Sequence, residues 1–289
     1  MGRLLKMEFR RLFKSVYFYV FPAAIVIILA IEKLTADTPS PDNFKSISGV
    51  FDYSREVMQF AIVAAGIFMV YLWAVEYKKG FIKNIAGNVS GNHIITITRM
   101  ITGSVVMIIY SVFSFLFGLV FTLINFGRIE VIPENPYPAS ADMLPERFRA
   151  NWLSEEQWRS QRLEFLFKWI SEYMVLVLAG IAIIALALML FELTRSSALG
   201  YITVMMIGFD IFEALISNLI SLITDKIDIA RHLILSQFRY LEGIPGFDAK
   251  GEIAWLDPDP MWTFWLRTAI YVIIFTAGAI MISKKKDTV

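Results

Sequence analysis

The chain has no cysteine and only two histidines in 289 residues. The first absence excludes a disulfide framework, thiol catalysis and any cysteine metal site. His93 and His232 stand far apart, and a lone histidine reads as a solvated side chain rather than a ligand. Enzyme signatures are missing as well: there is no HExxH, no GxSxG and no GxxxxGK[ST] phosphate loop. The nearest glycine-rich stretch, Gly87-Asn88-Val89-Ser90-Gly91, lacks the lysine that would neutralise a phosphate. Charged residues are scarce, at 18%, and there is no internal repeat or low-complexity linker. These absences predict a non-enzyme with no cofactor or metal of its own and no nucleic-acid partner.

What the chain has in quantity is apolar surface. Hydrophobic residues make up 57% of it, and the mean hydropathy is +0.59. A soluble domain cannot bury that much, so the composition predicts a polytopic membrane protein with a single membrane domain. Six apolar runs serve as spans: about 15–31, 57–75, 100–127, 173–191, 198–223 and 262–283. Helices of this length cross ~30 Å of hydrocarbon at ~1.5 Å per residue. The expected fold is therefore all-α, with extracellular segments 32–56, 128–172 and 224–261 and both termini in the cytoplasm.

The charges support this orientation. The short inner segments carry 13 Lys and Arg against 4 acids, whereas the longer outer ones carry 14 against 20. Short basic loops stay inside and long segments are largely exempt from that rule. Met1–Lys14 interleaves Arg3, Lys6, Arg10, Arg11 and Lys14 with Leu5, Phe9 and Leu12 at helical spacing. This reads as an amphipathic helix in the inner interface, its long cationic side chains snorkelling outward. The alternative is an unstructured basic leader. On the outer side, Ser154 and Gln157 form a capping-box pattern, with no breaker from there to Phe191. Ile227–Leu241 is expected to be helical and to stop at Gly243-Ile244-Pro245-Gly246.

Two features could carry function. Asp210 and Glu213, three residues apart in the fifth run, share a helical face. Carboxylates in hydrocarbon cost several kcal/mol, so that face should meet a wet cavity, as a candidate cargo path, or a structural partner. The second feature is the connector 76–99. Phe81, Ile82 and Ile85 form an apolar edge on a short helix, with Lys78, Lys79 and Lys83 around it. Such a tip suits a groove on a soluble protein; the competing reading is a juxtamembrane loop on lipid head groups.

The order of leader, span, outside loop, span, Glu76-Tyr77-Lys78-Lys79-Gly80-Phe81-Ile82-Lys83-Asn84 and a long third span resembles the permease subunit of type-two ATP-binding-cassette (ABC) exporters. In that family a Glu-x-x-x-Gly-x-x-(Lys/Arg) stretch is the coupling helix that docks on a separate ATPase. Glu76, Gly80 and Lys83 take those places, and Phe81 stands where a threonine is common. The resemblance is greatest to the Gram-positive peptide-exporter and bacteriocin-immunity branch, although 128–172 is longer than expected. It implies two permease copies in the plasma membrane, two copies of an ABC ATPase that hold ATP and Mg, and export of an amphipathic or hydrophobic solute such as a peptide. Outside this resemblance stand two other readings: a secondary transporter or channel using Asp210 and Glu213, and a membrane anchor that recruits a soluble partner.

Overall fold

The computed structural model describes residues 2–35, 47–78, 91–126, 129, 155–209, 211–221, 232–235, 245–247, 253–255 and 260–286. The basic leader is a helix, α1 (Gly2–Lys14), with Leu12 fully buried and Arg3, Lys6, Arg10 and Lys14 exposed. At Ser15 the chain turns into α2 (Val16–Thr35): the Ser15 N–H donates to the Arg11 and Leu12 carbonyls, and its own carbonyl accepts from the Phe18 N–H. Pro22 lies inside α2. Having no N–H, it leaves the carbonyl four residues back, that of Phe18, without its helical donor.

Three long helices follow: α3 (Ile47–Lys78), α4 (Asn92–Phe126) and α5 (Glu155–Thr194). The expected helix from Glu155 through Phe191 is thus one 40-residue element. Then come α6 (Ser197–Gly208), α7 (Ile211–Ser221), a hairpin of β1 (Pro245–Phe247) and β2 (Ile253–Trp255), and α8 (Met261–Lys286). The hairpin pairs Pro245 with Trp255 and Phe247 with Ile253. It occupies the Gly-Pro stretch expected to stop a helix; most of Ile227–Leu241 lies outside the described residues.

Among the described residues, four helices are long and apolar enough to cross a membrane: Tyr53–Lys78, Asn92–Ile124, Leu166–Thr194 and Met261–Lys286. The first and fifth expected spans fall on α2 and on the α6–α7 pair. That fifth span, expected as one helix over 198–223, is broken. Gly208, a weak helix former, ends α6, and the Phe209 N–H closes the turn on the Met205 carbonyl at 3.2 Å.

The helices pack by close approach of small residues, as suits a bundle without water to drive association. Along the antiparallel α3–α6 pair, Val63 sits on Gly208, Val204 on Gly66, and Val70 on Gly200. A Cβ added at any of these glycines would lie 2.5–2.9 Å from the facing valine. The α4–α5 pair repeats the device, with Ile184 on Gly103 and Met107 on Gly180. In their most apolar windows α3 and α5 are 72% and 67% buried, α4 39% and α8 17%. So α3 and α5 form the centre, and α8 lies on the outside of α5 with Met189 against Gly278.

Candidate functional site

The alternation of helix directions brings the C-terminal ends of α3, α5 and α8 to the same end of the bundle as the N-terminal end of α4. Helix C-termini carry partial negative charge and favour cations. The cations at this end are Arg99, two turns into α4, Arg195 just after α5, Lys286 at the end of α8, and Arg11 on α1. The three arginines meet carboxylates that each lie inside a helix, and Lys286 meets backbone carbonyls at the end of α5.

Arg99 is the hub. It is 1% exposed, and its guanidinium spans two helices. Nη2 and Nε donate to Glu76 Oε2 at 2.7 and 3.2 Å, and Nη1 donates to Glu192 Oε1 at 2.8 Å. Glu76 Oε1 accepts from Arg11 Nη1 at 2.5 Å, tying α1 to α3. Glu192 Oε2 lies 2.7 Å from Arg195 Nη1, an ion contact whose N–H direction is not aligned for a hydrogen bond. Thr96 completes the shell of Glu192 Oε1 at 3.4 Å. Lys286 Nζ donates to the Glu192 and Leu193 backbone carbonyls, which docks the end of α8. Five helices are thereby joined at one polar knot. Buried charges survive only when paired in this way.

Two backbone and ring details hold the knot. Arg195 has φ 57, the left-handed conformation that ends a helix, and its N–H closes on the Phe191 carbonyl at 2.7 Å. A β-carbon makes that conformation costly, yet it aims the side chain back at Glu192 and over the Tyr77 ring, 5.6 Å away. Phe191 closes the apolar side: the Arg99 guanidinium lies 5.9 Å from its ring centroid, and Trp73 packs on it at 5.9 Å. The Trp73 Nε1 is buried with no hydrogen-bond acceptor among the described residues. Glu8 of α1 also enters, 3.8 Å from Arg11 Nη1. Burial, followed by the charge of Glu76, raises its carboxyl to about 7, against the opposing pull of Arg11 and Arg99.

Of the expected coupling residues, Glu76 is buried in this knot at 2% exposure, while Lys78 is exposed at the end of α3. Lys79, Gly80, Phe81, Ile82, Lys83 and Ile85 lie outside the described residues, as does Asp210. Glu213 falls on α7, and its side chain is not among those described. The chain re-enters the described bundle at Gly91, φ 136, a conformation open to glycine, with its carbonyl accepting from the Ile94 N–H. Sequence reasoning used Arg99 and Glu192 only as loop charges and missed the knot. The available signal was that three acidic or basic residues each abut an apolar run on the same side of the membrane.

No family model, curated protein or solved structure matches this chain.

Proposed function

We propose that the chain is the plasma-membrane permease subunit of an ABC exporter, with six spans, both termini in the cytoplasm and a separate ATPase as its energy source. The cargo is an amphipathic or hydrophobic solute, a peptide by preference, and two permease copies assemble with two ATPases. The observation that carries this reading is the position of Glu76 and Arg99. They flank the basic connector 79–90 and bond to each other at 2.7 Å in a buried site. A connector mounted on a rigid ion-paired base can receive a push from a soluble partner and deliver it to α3, α4 and α5 together. Two-state repacking of a helix bundle is the kind of response that follows.

A small ATPase with a phosphate loop in the neighbouring reading frame is the expected partner, and the test is reconstitution of the two in nanodiscs. Phe81→Asp is expected to abolish cargo-stimulated ATP hydrolysis while the bundle's melting temperature stays unchanged, because the tip lies outside the bilayer. Normal stimulation in a correctly assembled Phe81→Asp complex would overturn the coupling role. The break between α6 and α7 beside Asp210 favours a second reading, since discontinuous helices line ion sites in secondary transporters. Ion flux through liposomes holding this chain alone, lost in Asp210→Asn, would establish that reading instead.

A further inference from the structure

A cavity of about 410 Å³ lies between α2, α3 and α4, away from the polar knot. Its walls include Phe18, Pro22, Val26 and Ile27 of α2, Ala61 of α3 and Phe113 of α4. Three hydroxyl-bearing side chains line it, and each is already engaged: Tyr19 donates to the Phe13 carbonyl at 3.1 Å, Tyr110 to the Phe18 carbonyl at 3.0 Å and Ser114 to the Tyr110 carbonyl at 2.9 Å. The described walls therefore offer no free donor, and a cavity whose lining is mostly apolar favours hydrocarbon over water. From Phe18 to Ile27 the cavity follows nine residues of helix, roughly 14 Å, and so has the proportions of a chain rather than a ring.

One end of the cavity, at Phe18 and Tyr19, adjoins the basic helix α1. The last turn of α1 is fixed there: the Tyr19 hydroxyl donates to the Phe13 carbonyl at 3.1 Å, and the Phe13 ring meets the Phe18 ring edge-on at 5.5 Å. Lys14 comes next, and Arg10 is on the same helical face four residues earlier. With Arg3 and Lys6 they make an exposed cationic stripe with no ion-pair partner among the described residues, whereas Arg11 of the same helix is spent on Glu76. An apolar slot beside a helix end that carries exposed cations is complementary to an amphiphile with an anionic head.

We infer that this is a binding site for one anionic phospholipid of the surrounding bilayer, its phosphate on Arg10 and Lys14 and one acyl chain in the cavity beside Pro22. The inference rests on the membrane assignment and not on the exporter reading. It makes the α1–α2 junction a lipid-recognition element as well as an interfacial anchor.

Native mass spectrometry of the full chain, after equilibration with equimolar phosphatidylglycerol, phosphatidylcholine and palmitate, tests it. The expected result is one retained phosphatidylglycerol per chain. Ala23→Phe, which fills the cavity from an exposed wall position, should lower that occupancy at least tenfold. Arg10→Gln with Lys14→Gln should keep a lipid bound but abolish the preference for the anionic head. A thermal melt checks each variant, and Val26→Phe replaces Ala23→Phe should the latter fail to fold. Undiminished occupancy in the filled variant, equal retention of the two phospholipids by the wild type, retention of palmitate in preference, or no retained lipid would each overturn the assignment.

Discussion

The hydroxyl of Tyr110 on α4 supplies the Phe18 carbonyl of α2 with the donor that Pro22 removed, at 3.0 Å. A proline inside a helix orphans one carbonyl, and in an apolar bundle that carbonyl must find another partner. Tyr110→Phe should therefore cost about 1–3 kcal/mol, the desolvation penalty of an unsatisfied buried group. In a Pro22→Ala background the helical N–H returns, and the same substitution should cost much less. Thermal unfolding of the four proteins of this double-mutant cycle gives the coupling; strict additivity would dissociate the tyrosine from the proline.

The Arg99 knot predicts a marked asymmetry. Arg99→Met alone leaves Glu76 and Glu192 buried without their shared partner and should destabilise by about 3–5 kcal/mol. Adding Glu76→Leu and Glu192→Leu removes the stranded carboxylates, and the triple variant should recover most of that loss. Arg11 and Arg195, freed by those changes, are partly exposed and can be solvated. Chemical denaturation in detergent measures both; a triple variant no more stable than the single would contradict the paired account.

Glu8 makes the docking of α1 pH-dependent. Its carboxyl is raised to about 7, above the 4.5 of an unperturbed glutamate, so the folded protein holds a proton that the unfolded chain has released. Stability therefore falls as pH rises through that interval. The groups facing it are Arg11 on its own helix, Glu76 of α3 and Arg99 of α4. Proteolytic accessibility of residues 2–14 should increase between pH 4.5 and about 7 and level off above it, and Glu8→Gln should flatten the profile at the protected level. A profile unchanged by Glu8→Gln would assign the titration elsewhere.

The α3–α6 contact predicts a size-swap rescue. Gly66→Val places new methyls where Val204 already sits and should cost about 1–3 kcal/mol by overpacking. Val204→Gly in the same chain restores the combined volume with the knob on the other helix, and should recover at least half of the loss. Melting temperatures decide; an additive pair would mean that the two positions do not meet.

How much of this was legible in the sequence differs by element. The apolar runs place α3, α4, α5 and α8, and the periodicity of Met1–Lys14 gives α1, because a burial pattern is written residue by residue. Helix ends are not written that way. A run reads as ending where a charge appears, at Glu76, Arg99 and Glu192, whereas the helices continue to Lys78, back to Asn92 and on to Thr194. A charge inside a helix and a charge in a loop look alike until the partner on another helix is known. The partners here are 23 and 93 residues away from Arg99. The break at Gly208 was hidden for a similar reason: glycine marks both a close contact and a helix end, and Gly208, which faces Val63 and ends α6, is both.

A helix of 40 residues is about 60 Å long, twice the ~30 Å of hydrocarbon it has to cross. Because α5 has no break between Glu155 and Thr194, it acts as a lever with one arm ending at Glu155 and the other at Glu192. Tilting such a rod by about 5° around its middle moves each end by roughly 3 Å, more than the tolerance of a 2.8 Å bond to Arg99. Whatever leans on the Glu155 arm is thus felt at the other end of the helix as a choice between that bond kept and that bond broken.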